Sequence, residues 1–230
     1  MVAELDGPRL EPRGTGAARQ LVVFLHGYGA DGHDLIDLGR AWQNLMPQAA
    51  FVSPHAPEPC AQAGAGRQWF PLFTRDPTER WTGCNKAAPA LELFLEAELK
   101  RRNLPASALA LVGFSQGTMM ALHVGLRRAI APFAIVGYSG VLVVPPTLDP
   151  DAFAAEIKSH PPVLLVHGDR DDLIPAQALF QAAQGLAALG VPVEWHISGG
   201  IGHGIDQEGV RHGGEFLARR MARPGSALGS

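Results

Sequence analysis

The sequence predicts an α/β fold, with a mostly parallel central sheet and helices on both faces. Three observations carry that expectation. Short apolar runs alternate along the chain with longer segments of helical period. Most of the runs are apolar at successive positions, as strands covered on both faces must be. Gly and Pro cluster at the junctions between the two kinds of segment.

In chain order, the strands are expected at 21–26 (LVVFLH), 50–53 (AFVS), 109–114 (LALVGF), 133–138 (FAIVGY), 163–168 (VLLVHG) and 193–197 (VEWHI). Helices are expected at 34–44, 116–128, 176–189 and 207–221. A further helix is marked by Leu91, Phe94, Leu95 and Leu99, with Glu96 and Lys100 paired on its outer face, and it ends near Asn103 before Pro105. Residues 129–148 carry no charge over a length that could cross a bilayer. Pro132, Gly137, Gly140, Pro145 and Pro146 interrupt that stretch, so it reads as a buried strand followed by a loop, without integral membrane association.

A chain of 230 residues is expected to form one main domain. The expected organisation is an N-terminal extension over 1–20, the domain over 21–223 and a flexible tail over 224–230. The longest connection, 54–83, is rich in Pro, Gly and Ala but contains Trp69, Phe70, Phe73 and Trp81, which suits a packed, lid-like loop better than a solvated linker.

Composition narrows the function. With 47% apolar and 18% charged residues, the chain can bury a sizeable core and is not a disordered protein. Lys and Arg number 19 against 22 Asp and Glu, and no basic block offers a footprint for nucleic acid. Cys60 and Cys84 are too few for a disulfide framework and lack zinc-site spacing, so reduced thiols in a cytoplasmic protein are expected. The N-terminus has acids and prolines where a secretory leader has basic residues and an apolar run. Nothing in the sequence sets an oligomeric state.

The strongest chemical signal is Gly113-Phe114-Ser115-Gln116-Gly117, a G-x-S-x-G between an expected strand and an expected helix. A tight turn there exposes the serine, and the helix N-terminus supplies free N–H groups for a developing oxyanion. Ser115 needs a base and an orienting acid, because a free hydroxyl is a poor nucleophile at neutral pH. Asp169, Asp171 and Asp172 follow the strand at 163–168, and any one of them could be the acid; His203 lies in a glycine-rich loop after the strand at 193–197. This order of serine, acid and histidine is that of α/β hydrolases.

The loop His26-Gly27-Tyr28-Gly29-Ala30-Asp31-Gly32 also fits G-x-G-x-x-G, the dinucleotide fingerprint. A ribose-holding acid is missing at the end of the next strand, which runs into Pro54, His55 and Ala56. The hydrolase reading uses the same loop for an oxyanion N–H. Two other readings stay open: a nicotinamide-dinucleotide-dependent oxidoreductase, and a non-catalytic ligand-binding module on a hydrolase scaffold. His33, His55, His123, His160 and His212 are scattered and no H-E-x-x-H is present, so no metal site and no cofactor are expected. His26 and His167 precede glycines at strand ends, where structural hydrogen bonds are expected.

Through FLHGYGADGHDL, the Trp69-Phe70 pair, GFSQGTMMAL, HGDRDDLIP and GHGI, the chain resembles the phospholipase/carboxylesterase family of α/β hydrolases from about Leu21 to Leu217. That family includes acyl-protein thioesterases and small bacterial carboxylesterases. The resemblance implies the α/β-hydrolase fold and a cytoplasmic serine esterase acting on small-molecule or lipid esters, thioesters or lysophospholipids of short to medium acyl chains. It implies Ser115 as nucleophile, His203 as base and Asp171 as acid, with the backbone N–H groups of Tyr28 and Gln116 as the oxyanion hole. Many relatives have Leu where this chain has Tyr28. Trp69, Phe70, Val141 and Leu142, in a stretch reaching Val144, are expected to line the acyl pocket.

Overall fold

The computed structural model describes residues 3–60, 62–74, 76–144, 147 and 149–221. The strands are β1 (Arg9–Leu10), β2 (Gln20–Leu25), β3 (Ala49–Val52), β4 (Glu58–Pro59), β5 (Arg67–Gln68), β6 (Leu109–Phe114), β7 (Ala134–Tyr138), β8 (Val163–Gly168) and β9 (Val193–Ser198). The helices are α1 (Gly32–Trp42), α2 (Pro77–Arg101), α3 (Gln116–Gly125), α4 (Pro150–Glu156), α5 (Gln177–Ala188) and α6 (Gln207–Met221). The tail expected over 224–230, together with Pro145 and Pro146, lies outside the described residues.

Seven strands form one sheet in the order β1-β3-β2-β6-β7-β8-β9. Every pairing in it is parallel except β1 with β3. Along β2 the side chains alternate between two apolar layers. Leu21, Val23 and Leu25 join Leu91, Leu95, Met119, Leu122 and Leu179 on the face covered by α2, α3 and α5. Val22 and Phe24 join Leu35, Trp42, Phe216 and Leu217 on the face covered by α1 and α6. Burial on both faces is why the central strands are apolar throughout, and it puts the strand carboxyl ends, where loops gather, along one edge.

The structure departs from the sequence expectation in three places. The segment expected as an extension joins the sheet: Arg9 pairs with Val52 and Leu10 with Phe51, and Leu5 is buried. The helix expected around Leu91 begins at Pro77, so Trp81 belongs to α2 and the loop is shorter than 54–83. Asp76 caps that helix by accepting the Thr78 N–H at 2.7 Å, and Pro77 sits at the first helical position, where no N–H is needed. Its early turns are polar and Pro89 interrupts the hydrogen-bond ladder, so helical period becomes visible only from Leu91. Third, α4 and the β4–β5 hairpin were not expected; β4 and β5 are two residues each and are held by their pairing. Among the described residues, no helix is long and apolar enough to cross a membrane.

Candidate active site

Ser115 stands alone between β6 and α3, with φ 53° and ψ −113°. A non-glycine residue in that region is strained, and the surroundings must hold it there. A Cβ on Gly113 would come within 2.4 Å of the Gly117 backbone, and one on Gly117 within 1.7 Å of the Leu25 carbonyl oxygen. Gly113 is therefore required for α3 to pack against β6, and Gly117 for it to pack against β2. The Ser115 N–H donates to the Tyr138 carbonyl at 2.9 Å, and the Thr118 hydroxyl lies 2.8 Å from the carbonyls of both Gly113 and Tyr138. Ser115 is left partly exposed. Ser139, which also has positive φ after a strand, is fully buried and out of reach of a substrate.

The three aspartates after β8 separate cleanly. Asp171 is buried, and its Oδ2 lies 2.7 Å from His203 Nδ1. Its Oδ1 accepts the N–H groups of Leu173 at 3.0 Å and Ile174 at 2.8 Å. Burial pushes this carboxyl up, but the Ile174 N–H and His203 outweigh it, and the net shift is below the usual carboxylate range. Asp169 instead accepts the Gly200 N–H at 2.6 Å, shaping the histidine loop, and Asp172 is exposed. His167 Nε2 lies 2.7 Å from the Ile174 carbonyl and 3.2 Å from Asp171 Oδ2, bracing the acid from below. The His203 loop is laced to β8 by Arg170 N–H to the Ile201 carbonyl at 2.9 Å and by Asp169 N–H to that of Ser198 at 3.1 Å. The His203 ring lies 5.0 Å from that of Phe114, the neighbour of Ser115.

On the other side of the serine, a Cβ on Gly27 would lie 3.0 Å from the Phe114 ring and 3.4 Å from Ser115 Cβ. The loop after β2 thus passes directly beside the serine. Gly29, at φ +80°, donates its N–H to the Arg67 carbonyl, and Arg67 returns its own to Ala30, each at 2.8 Å. Gln116 is fully buried: its Oε1 accepts the Trp69 N–H at 2.9 Å and its Nε2 donates to the Phe70 carbonyl at 2.8 Å. These bonds fix the N-terminus of α3, whose first N–H groups have no intrahelical acceptor. His26 is structural, with Nδ1 2.8 Å from the Gly27 carbonyl and Nε2 accepting the Ala56 N–H at 2.9 Å.

The glycine loop is not arranged for a pyrophosphate. At the start of α1 the Asp31 carboxylate accepts the His33 N–H at 2.7 Å and the Asp34 carboxylate accepts that of Asp31 at 3.0 Å, while Gly32 donates to His55 Nδ1 at 3.2 Å. The donors a phosphate would use are taken, two of them by anions.

Of the residues expected to line the acyl pocket, Phe70 borders a cavity of about 400 Å³ with Pro71, Phe73 and Thr82. Trp69 and Phe70 are fully buried and bind the loop to the serine turn; the Trp69 indole N–H donates to the His26 carbonyl at 3.0 Å. Val141 and Leu142 are half-buried against the α2–α3–α5 core. The open apolar space next to the serine turn is a groove of about 450 Å³ whose walls are Leu35, Leu38 and Ala41 of α1, with Phe114, Ile205 and Val210. Its walls come from segments far apart in sequence, and only the apolar face of α1 hinted at it.

A parallel sheet carrying a serine on a strained strand-to-helix turn, with an aspartate-braced histidine supplied by the loops after later strands, is the architecture of an α/β hydrolase. The model for the phospholipase/carboxylesterase family matches residues 12–221, and the chain belongs to that family. It is 26% identical to acyl-protein thioesterase 1 of Gibberella zeae over 94% of this chain and 98% of that one. It is also 26% identical to the esterase YpfH of Escherichia coli over 84% of this chain and 80% of that one. The crystal structure of esterase PE8 superposes with a TM-score of 0.88 at 43% identity, covering 94% of this chain and 99% of that one. The chain is a hydrolase of the ester and thioester class.

Proposed function

We propose that the protein is a serine esterase cleaving carboxylic esters of short to medium acyl chains through Ser115, His203 and Asp171. Ser115 Oγ attacks the ester carbonyl carbon while His203 Nε2 takes its proton. Asp171 accepts from Nδ1–H, holding the imidazole in the tautomer that leaves Nε2 free to act as base. The negative oxygen of the tetrahedral intermediate receives the N–H groups of Tyr28 and Gln116, at the loop after β2 and the start of α3. Collapse breaks the bond to the alcohol oxygen, which leaves with the proton held by His203. Water then repeats the sequence on the acyl-enzyme and releases the acid. A thioester passes through the same tetrahedral intermediate.

The observation that carries this reading is the 2.7 Å contact of His203 with a buried Asp171, on the edge of the sheet where Ser115 is held at positive φ. The apolar groove at Phe114 and Gly27 suits the hydrocarbon part of an ester. We take 21–223 as the catalytic domain, with Trp69 and Phe70 of the loop before α2 bonded to Gln116 at the serine turn and β1 supplying an edge strand. A cytoplasmic setting fits the two free, buried thiols, Cys60 and Cys84.

The test is labelling by a fluorophosphonate, followed by mapping of the modified residue. One adduct on Ser115 is expected, and Ser115→Ala should lose both the adduct and the burst of p-nitrophenol from an activated ester. Labelling elsewhere, or steady turnover by Ser115→Ala within tenfold of the parent, would reject the assignment.

A further inference from the structure

Strand β9 and helix α6 bracket residues 199–206, the loop that carries His203. Beside that loop the two elements bring together three side chains that the hydrolase reaction does not use. His196 comes from β9, and Glu208 and His212 come from successive turns of α6, where a spacing of four residues puts both on one face. One ligand atom from each lies within 4.8 Å of those of the other two. His196 Nε2 is 3.9 Å and His212 Nε2 3.7 Å from the Glu208 carboxylate, and the imidazole rings lie 4.1 Å apart.

Glu208 also faces Arg211 Nη2 at 3.5 Å, but two features of the histidines go beyond a surface ion-pair network. His196 Nε2 is buried and has no hydrogen-bond partner among the described residues. His212 Nε2 faces Arg211 Nη2 at 3.1 Å; a guanidinium can only donate, so this nitrogen presents its lone pair. We propose that His196, Glu208 and His212 form a binding site for a divalent transition-metal ion, Zn²⁺ being the best match to two imidazoles and one carboxylate.

Zn²⁺ takes histidine nitrogen and carboxylate oxygen at about 2.0–2.2 Å in tetrahedral geometry, so the three donors must draw in around the ion from their present separations. Mg²⁺ and Ca²⁺ prefer oxygen ligands and fit this donor set poorly. Water would complete the shell. Arg211 must withdraw, and its Nη1 already pairs with Glu215 at 2.9 Å, which gives it a place to go. Among the described residues one other cluster of this kind, Asp31 with His33 and His55, is already engaged in capping α1 and in accepting the Gly32 N–H.

A metal here would clip β9 to α6, adding to the Ser198 hydroxyl bond to Asp206 at 2.8 Å that already closes the His203 loop. The site would act on the loop's rigidity and not on the reacting atoms.

The experiment is titration of the full chain, free of any affinity tag, with Zn²⁺ by calorimetry and with Co²⁺ by visible absorption. One equivalent should bind, with a tetrahedral Co²⁺ spectrum. Affinity should fall at least tenfold in His196→Gln and in His212→Gln, rise in Arg211→Gln, and stay unchanged in Ser115→Ala. Metal-free thermal unfolding of the variants should match the parent, showing that lost binding is not lost folding. Absence of saturable binding, parental affinity in either histidine variant, or loss of binding in His33→Gln instead would each overturn the proposal.

Discussion

His203 Nδ1 lies 2.7 Å from Asp171 Oδ2, and the same carboxylate receives the backbone N–H groups of Leu173 and Ile174 on its other oxygen. The Asp171 carboxylate is thus oriented by the turn that opens after β8 before it meets the histidine. Asp169 and Asp172 have no such position: one accepts the Gly200 N–H and the other is exposed.

Asp171→Asn should therefore lose at least about 10²-fold in ester turnover while remaining folded, because an amide can stabilise the wrong imidazole tautomer. The chymotrypsin case in which that change costs about 10⁴ sets the scale. Asp169→Asn and Asp172→Asn should stay within about tenfold of the parent. Steady-state kinetics on the three variants decides the matter, and a crippled Asp169→Asn or Asp172→Asn beside a mild Asp171→Asn would move the acid.

How much of this was legible in the sequence depends on where each signal is stored. The six parallel strands are readable within a residue or so: in the central ones burial on both faces forces apolar side chains at consecutive positions such as Leu109 to Val112, while β9, with Glu194 and Trp195 exposed, is legible as a short run bounded by turn residues. The turn around Ser115 is readable because its glycines stand at fixed short spacing about the serine, although only Gly113 is required by backbone within the turn and Gly117 by the Leu25 carbonyl of β2. By contrast, β1 is only Arg-Leu and becomes a strand through pairing with β3, a contact more than forty residues away in sequence. The groove beside Ser115 is likewise invisible, since Leu38, Phe114 and Val210 meet only once the sheet is assembled. Trp69 and Phe70 are aromatics in a loop, and residue type alone does not say how such side chains are placed: both are buried and their backbone groups bond to Gln116, while Phe70 also borders a cavity with Pro71, Phe73 and Thr82.

The groove supplies a specificity test. Leu38 is half-buried on its wall, so Leu38→Trp fills space without disturbing the fully buried core. The variant should keep its turnover of acetate esters within about threefold and lose at least about tenfold in kcat/KM for esters carrying a longer hydrocarbon chain. A chain-length profile that does not change would place the substrate elsewhere.

The N-terminal segment should prove integral to the fold. Glu98 of α2 has a side chain only 1% exposed and pairs with Arg9 at 2.8 Å and with Arg102, while Arg9 lies on β1. Glu98→Ala leaves the largely buried Arg102 without that partner, for which about 3 kcal/mol is the expected loss. Removing residues 1–12 should destabilise comparably, because it takes away Arg9, the β1 pairing and the buried Leu5. Urea unfolding measures both, and a truncated chain as stable as the parent would show that the segment is dispensable.

His123 gives the acid limb of stability. It is buried on α3, its Nδ1 has no hydrogen-bond partner among the described residues, and the Trp81 ring meets it edge-on at 5.3 Å. Burial first, then the nearby Arg127 charge, push its pKa down to about 3. The unfolded chain takes up a proton at this residue near the reference value of about 6.5, whereas the native chain does not do so until far lower pH. The contribution is therefore fully present above about pH 6.5 and declines as pH falls towards 3, by up to about 1.4 kcal/mol per unit. Carboxylates protonate mainly below pH 5, so measurements at pH 7, 6 and 5 isolate the histidines. His26, whose pKa is also lowered by burial, adds a slope of its own, so the informative quantity is the difference between parent and His123→Leu. Urea unfolding should show the parent losing stability more steeply than the variant between pH 6 and 5. Parallel lines for the two proteins would mean that His123 is protonated in the folded state as readily as in the unfolded one.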